Sequence, residues 1–368
     1  MLKIRLLLMI AVLFSFPVMM FSQEEDSVKM VVASSVEEDS TGIAPEAQEA
    51  YNNGITAMES EAYKKAIEHF SNAIKLSPEF PQAYNNRAYA YLSIENHEKA
   101  ALDFKAAVQL NPELDNAFFE LGIIAELKDS IEQAIDYYSQ AIAVNTADEN
   151  YYYQRGLQYF KLENYEKAKD DFTGAIALKN DFAFAHNDRG SANKQMDKID
   201  EAIVDYKAAT LHDPKLVIAY SNLATAYREK KEYENAISAY DKAVEIDAKN
   251  YIALNNRGQA KFENGDIQGA IADFEAVVKI KPDYPFAFNN LAAAYIKLEE
   301  YQKAVENSTK AINLDNNFGH AYCNRGIAQE MLRNEEEACE DWVTASSLGV
   351  NLGERYYQST SCSTLITK

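Results

Sequence analysis

The sequence has few of the residues that build disulfide frameworks, phosphate-binding loops or tight turns. Its 368 residues include three Cys, 13 Gly, eight Pro and one Trp. Three cysteines are too few for a disulfide-held secreted domain, and an odd number leaves at least one thiol without an intramolecular partner. No glycine-rich phosphate loop and no glycine-elbow nucleophile motif appears. Stability is therefore expected to come from packing.

The sequence also has fewer positively charged residues than negatively charged ones. The chain carries 36 Lys and Arg against 57 Asp and Glu, a formal net charge of −21. A surface this negative repels phosphate backbones and anionic headgroups. Nucleic acid and acidic membrane surfaces are therefore not expected as partners, and no small-molecule substrate is indicated.

The N-terminal residues have the pattern of a secretory signal. Lys3 and Arg5 precede an apolar stretch over residues 6–21, and the small residue Ser22 follows. This order predicts a signal peptide over residues 1–22. An uncleaved membrane anchor is the alternative, although the stretch is short for a span. Residues 23–46 are acidic and show no helical period, so a flexible linker is expected.

A repeat of 34 residues fills most of the remaining chain. Nine alanines recur at this spacing without insertion or deletion: Ala66, Ala100, Ala134, Ala168, Ala202, Ala236, Ala270, Ala304 and Ala338. Twelve residues before each alanine stands Gly or Ala, and four residues after it stands an aromatic ring, except at Ser308. Residues at i and i+4 share a helix face, so small residues and rings are expected to pack two helices closely together. Such hairpins must stack on their neighbours to bury this face.

Segments such as Tyr84-Asn85-Asn86-Arg87-Ala88-Tyr89-Ala90-Tyr91 and Tyr165-Glu166-Lys167-Ala168 resemble tetratricopeptide repeats. The resemblance implies an all-α fold, a right-handed α-solenoid superhelix of antiparallel hairpins with the first helices lining a concave groove. Nine repeats are predicted, over residues 47–80, 81–114, 115–148, 149–182, 183–216, 217–250, 251–284, 285–318 and 319–350. Residues 351–368 are expected to form a C-terminal cap or tail.

The family geometry also implies which side chains face the groove. In the first four repeats these are aromatic or aliphatic and include Tyr51, Tyr89, Phe119, Ile123, Tyr153 and Leu157. They indicate a site for apolar side chains of a partner. The alternative is that they pack between neighbouring first helices.

A second set of predicted groove residues is a row of amides. It comprises Asn52, Asn86, Asn222, Asn256, Asn290 and Asn324, with Glu120, Gln154 and Asp188 interrupting it. Regularly spaced amides can bind an extended peptide backbone. The row is similar to the asparagine ladder of the eukaryotic glycosyltransferase that modifies Ser and Thr. The alternative is that these are ordinary solvated helix residues.

Charged side chains do not predict a carboxylate clamp. Lys161, Lys194, Arg228 and Lys297 are scattered, and the series Arg87, Arg155, Arg189, Arg257 and Arg325 is expected to pair with acidic residues along the hairpins. His320, Cys323 and Cys339 lie in one repeat but lack the spacing of a metal site. The sequence therefore predicts no catalytic residues, no metal and no cofactor.

These observations predict an exported, non-enzymatic scaffold that binds a protein or peptide, within an envelope assembly or secretion complex. We expect it in the periplasm or outside the cell, where any association with the outer membrane would run through a partner. The alternative is a chaperone-like or enzyme-accessory subunit that binds extended polypeptides through the amide row. Ser308 at an expected ring position and the irregular final repeat suggest a further hypothesis, a contact with another subunit.

Overall fold

The computed structural model describes residues 42–351 together with residues 353 and 362. The predicted signal segment, most of the linker and most of the C-terminal tail lie outside these residues. The described chain is all-helical, which confirms the predicted fold class, and no strand occurs within it. Its eighteen helices are α1 Pro45–Glu59, α2 Tyr63–Leu76, α3 Pro81–Leu92, α4 His97–Leu110, α5 Asp115–Leu127, α6 Ile131–Val144, α7 Glu149–Lys161, α8 Tyr165–Leu178, α9 Ala183–Gln195, α10 Ile199–His212, α11 Val217–Glu229, α12 Tyr233–Ile246, α13 Tyr251–Glu263, α14 Ile267–Ile280, α15 Pro285–Lys297, α16 Tyr301–Leu314, α17 Gly319–Met331 and α18 Glu335–Ser347.

The helices form hairpins, each with an odd-numbered first helix and an even-numbered second helix. Helix α1 begins at Pro45, inside the segment that the sequence assigned to the linker, because proline is well suited to the first helical position. Two compact units are present, over residues 42–201 and residues 202–351 with 353 and 362. Within each unit, a first helix packs against its own second helix and against the second helix before it.

The repeated small residues and rings form the core. All nine alanines of the 34-residue series have no exposed surface. Rings four residues later are also buried, and the largest are Tyr138, Tyr206, Tyr240 and Trp342. A Cβ added to Gly156 would lie 2.8 Å from the ring of Phe172, so this glycine allows the two helices to approach closely. The predicted packing stripe is confirmed.

Each hairpin turns through one residue in the left-handed region. Its φ lies between 55° and 69° in eight of the nine turns, where the residue is not glycine. These residues are Glu61, Glu95, Asp129, Glu163, Asp197, Lys231, Glu299 and Arg333. Only the seventh hairpin uses glycine, Gly265, with φ of 91°. The tight turn therefore imposes backbone strain on most hairpins.

The first hairpin differs from the others on its outer side. Glu49 and Thr56 are exposed on α1, whereas the equivalent Ala83 and Ala90 of α3 are buried. Polar residues are suited to this end because no hairpin of the described chain precedes it. Within residues 42–351, no helix has the length and apolar character needed to cross a bilayer.

Candidate functional site

The aromatic and aliphatic residues predicted for the groove divide by burial. Tyr51, Tyr89 and Leu157 are buried, with 0%, 7% and 3% of their surface exposed. The other three, which are Phe119, Ile123 and Tyr153, are half-buried. A binding role for the six stays a prediction, but only the half-buried ones present surface in this structure.

Ring packing between hairpins explains the burial. Tyr51 of α1 lies 5.7 Å from Phe70 and 4.8 Å from Phe80, measured between ring centroids. In the fourth hairpin Tyr153 repeats this arrangement, at 5.8 Å from Phe172 and 4.7 Å from Phe182. The second ring of each pair lies just before the next first helix. Packing between neighbouring hairpins therefore accounts for much of this aromatic surface.

The amide row makes hydrogen bonds between consecutive first helices. The Nδ2 of Asn86 donates to the hydroxyl of Tyr51 at 2.8 Å, 35 residues earlier. Asn290 and Asn324 donate in the same way, each at 2.9 Å, to the Oδ1 atoms of Asn255 and Asn289. These three donors are buried. Their amides therefore join first helices to each other, and a role in peptide binding is an untested prediction.

The remaining members of the row are less buried. Asn52 is exposed and accepts a hydrogen bond from Gln48 at 2.9 Å, while Asn222 and Asn256 are half-buried. No described contact requires Asn52 to hold the hairpins together. It is the amide of the row that is most accessible to a partner.

Two acidic residues interrupt the row where other repeats carry asparagine. Tyr153 donates to Asp188 at 2.8 Å, again across 35 residues. Burial raises the pKa of Asp188 to about 6, although its hydrogen bonds from Tyr153 and Asn187 act in the opposite direction. Burial likewise raises the pKa of Glu120 to about 7, against a hydrogen bond from Tyr89. Both carboxyls are thus placed to titrate near neutral pH.

The predicted pairing of the arginine series is confirmed for four members. Their guanidinium groups donate through Nε and Nη2 to both oxygens of an aspartate 16 residues later, at 2.6–2.9 Å. The pairs are Arg87–Asp103, Arg155–Asp171, Arg257–Asp273 and Arg325–Asp341. Bidentate pairs of this kind fix geometry as well as adding energy. The arginines are therefore structural.

The scattered basic residues are partly engaged as well. Lys161 donates to Glu126 at 2.7 Å, and Arg228 donates to Gln259 at 2.5 Å. These two bonds link consecutive first helices within a unit. The two side chains are thus not arranged to grip a terminal carboxylate together.

Helix α5 carries an apolar stripe that is not fully covered. Phe119, Ile123 and Leu127 stand four residues apart, so they share one face of the helix. Phe119 and Ile123 are half-buried, and Leu127 is 64% exposed. Sequence reasoning missed Leu127, although its spacing from Ile123 was a visible signal. We call these three residues the α5 stripe.

No group of three or more His, Cys, Asp or Glu among the described residues is arranged to hold a metal ion. Cys339 instead forms a disulfide with Cys362, across a Cα–Cα distance of 5.4 Å. Cys323 is a buried free thiol whose pKa is raised to about 12, mainly by burial. The sequence did not predict this pairing.

Family comparisons agree with the hairpin architecture. Profiles described as TPR repeat match residues 57–94, 224–265 and 258–299, and profiles described as tetratricopeptide repeat match residues 81–114, 149–182 and 287–318. The chain belongs to the tetratricopeptide repeat family. A search of curated proteins returned no match.

Solved structures of other tetratricopeptide repeat proteins are similar to this chain. The C-terminal part of a TPR repeat-containing protein from Cytophaga hutchinsonii has 20% identity and a TM-score of 0.56, covering 66% of this chain and 99% of that one. A tetratricopeptide repeat protein from Parabacteroides merdae has 18% identity and a TM-score of 0.49, covering 68% and 98%. YrrB, described as a TPR protein with an unusual peptide-binding site, has 25% identity and a TM-score of 0.47, covering 50% and 95%. The first of these supports the fold.

Proposed function

We propose that this protein is an exported, non-enzymatic scaffold that binds a protein or peptide on its first helices. The α5 stripe carries the proposal. Leu127 exposes 64% of its surface, and Phe119 supports the stripe through ring contacts with Tyr138 at 5.6 Å and Tyr151 at 4.9 Å. An exposed apolar side chain on a rigid, ring-supported helix is a suitable anchor point for an apolar side chain of a partner.

Membership of the tetratricopeptide repeat family supports the general role, since proteins of this family act as interaction scaffolds. The partner chemistry that fits the α5 stripe is an apolar or amphipathic peptide segment. Leu92 of α3 and Phe160 of α7 are half-buried apolar residues on the neighbouring first helices. The envelope assembly or secretion complex remains the proposed setting.

Export is supported by two features of the chain. The first 22 residues have the charge, apolar and small-residue order of a secretory signal. The disulfide between Cys339 and Cys362 fits an oxidising compartment, because such bonds are rare in reducing cytosol. We expect protein isolated from cells to begin at Gln23 and to contain this disulfide, as measured by intact mass with and without reduction. An N-terminus at Met1 together with three free thiols would overturn the export proposal.

Photo-crosslinking tests the binding surface. A photoreactive residue is placed at position 127 of the full chain, or at position 102 as a matched control. Leu102 lies on second helix α4 of the same unit and is 67% exposed, almost the same as Leu127. We expect one discrete crosslinked protein from position 127 and none from position 102.

The identified partner then permits an affinity measurement. Leu127→Lys is expected to weaken binding at least about tenfold by placing a charge in an apolar contact, while Leu102→Lys leaves it unchanged. Equal crosslinking at both positions would contradict the proposed surface. A broad range of polypeptides, retained by Leu127→Lys, would instead favour the chaperone-like alternative.

A further inference from the structure

Hydrogen bonds between residues 35 positions apart join consecutive first helices. In each pair, the earlier residue stands three positions before the recurring Gly or Ala of its own first helix. The later residue stands two positions before the recurring Gly or Ala of the next first helix. The bonded pairs are Tyr51–Asn86, Tyr153–Asp188, Asn255–Asn290 and Asn289–Asn324, at 2.8–2.9 Å. In each pair one side chain supplies a donor and the other an acceptor. This register therefore recurs at four hairpin junctions.

At the junction between the second and third hairpins, Asn85 and Glu120 stand at the two positions of this register. Both side chains are buried, with 5% and 8% of their surface exposed. The Oδ1 of Asn85 has no hydrogen-bond partner. An ionised Glu120 cannot satisfy it, because a carboxylate offers only acceptors. Tyr89 of α3 donates to Glu120, but an ionised Glu120 offers no donor to Asn85.

We infer that this junction is a proton-operated latch, in which protonated Glu120 donates to the Oδ1 of Asn85 and ionised Glu120 withdraws that bond. The protonated acid replaces the donor that asparagine supplies at the equivalent position of other repeats. The latch is a property of the fold and does not depend on the proposed function.

The surroundings of Glu120 favour the neutral acid. Tyr89 of α3, Tyr138 of α6 and Tyr151 of α7 are the titratable groups of neighbouring helices that interact with it, and none of them is cationic. Helix α4 contributes no such group among the described interactions. Burial raises the pKa of Glu120 to about 7, above the usual 4.5, with the Tyr89 hydrogen bond opposing it. The change of state therefore falls close to neutral pH.

The sign of the pH dependence follows from this direction. Because the folded-state pKa lies above the unfolded value, the native junction binds the extra proton. Its stability is fully present below about pH 4.5, declines as the pH rises towards 7, and changes little above about pH 8. Local opening of α3 and α5 should thus increase by up to about tenfold per pH unit between pH 5 and pH 7.

Hydrogen exchange of the full chain, corrected for the intrinsic pH dependence of amide exchange, measures this opening. We expect wild-type α3 and α5 to lose protection between pH 5 and pH 8. Glu120→Gln should remain protected throughout, since glutamine keeps a donor and does not titrate. Glu132→Gln, an exposed change on α6, controls for altered charge and should retain the wild-type slope.

Substitution of Asn85 distinguishes a pH dependence caused by the Glu120–Asn85 hydrogen bond from one caused only by burial of the Glu120 carboxyl. If Glu120 donates to Asn85, Asn85→Ala reduces the pH slope; a slope that stays the same in Asn85→Ala overturns the latch. A pH slope that persists in Glu120→Gln also overturns the latch. Wild-type protection that increases with pH overturns it as well, because that result would mean that the amide nitrogen of Asn85 faces the carboxylate. Asn255→Ala is the matched control at a junction without an acid, and it should lower protection equally at every pH.

Discussion

Arg87 and Asp103 form a bidentate ion pair within the second hairpin, with N–O distances of 2.6 and 2.8 Å. The remaining guanidinium nitrogen of Arg87 donates to Ser71 of the first hairpin at 3.0 Å. One side chain thereby joins the two helices of its own hairpin and the second helix of the preceding one. The same three-way contact recurs at Arg155, Arg257 and Arg325. Stacking of hairpins thus depends on polar contacts as well as on the alanine and ring core.

Replacement of Arg87 alone should lower the stability of the protein. Asp103 is 6% exposed, so Arg87→Leu leaves a buried carboxylate without its partner, and we expect a loss of about 3 kcal/mol in the free energy of unfolding. The double change Arg87→Leu/Asp103→Ala should restore most of it, because the sixth hairpin already carries Leu223 and Ala239 at these positions. Urea denaturation of both variants checks the difference. A double variant as unstable as the single one would show that the pair itself, and not the orphaned charge, sets the cost.

The turn of the seventh hairpin offers a test of backbone strain alone. Gly265 has φ of 91°, and a Cβ built there would meet no atom within 4 Å. Gly265→Ala should therefore lower stability by about 1 kcal/mol through its backbone conformation, without a steric clash. Glu163→Gly, at the equivalent turn with φ of 58°, should raise stability by a similar amount. Thermal midpoints measure both, and a change in the same direction for the two variants would contradict the argument.

Ser308 stands where the other hairpins place a ring. It is completely buried, and its hydroxyl has no hydrogen-bond partner. Ser308→Ala should raise the free energy of unfolding by about 1 kcal/mol by removing the unsatisfied group. Ser139→Ala is the contrasting change, since Ser139 accepts a hydrogen bond from Arg155 at 3.0 Å and its loss should be destabilising. Destabilisation by both would indicate that Ser308 has a polar partner. The hypothesis that Ser308 contacts another subunit is wrong for this structure, because the side chain has no surface exposed to a partner.

The disulfide should stabilise the last hairpin. Cys339 and Cys362 are separated by 23 residues, for which chain entropy gives a contribution of ~3 kcal/mol. We expect reduction to lower the thermal midpoint and to release two reactive thiols. Cys323 should stay unlabelled in native protein, because burial keeps its thiol protonated and inaccessible. Labelling of all three cysteines at one rate would refute this assignment.

The sequence was sufficient for the fold because its signal is local and repeated nine times. Alanine, ring and small residue lie within one hairpin, and each needs only helical spacing to be recognised. The exposure of Tyr51 could not be predicted in this way, since Phe80, which covers it, lies in the connection to the next hairpin. The amides of Asn290 and Asn324 were read as groove residues for the same reason, as their partners lie 35 positions away.

Some structural features had a signal that was visible in the sequence. In all five repeats with arginine before the Gly or Ala position, aspartate follows 16 residues later, as in Arg87 and Asp103. The repeats without that arginine also lack the aspartate, so the ion pair could have been derived. The disulfide could not, because Cys362 lies beyond the last repeat and the period does not extend to it.

The exposed polar residues of the first hairpin constrain how such an array can lengthen. Glu49 and Thr56 occupy positions that are buried in the second hairpin, where Ala83 and Ala90 stand. A gene duplication that copied the first hairpin into the interior would bury a carboxylate against its neighbour, at a cost of several kcal/mol. Duplication of interior hairpins has no such penalty. Among the described hairpins, the first is therefore the one least suited to being copied into the interior.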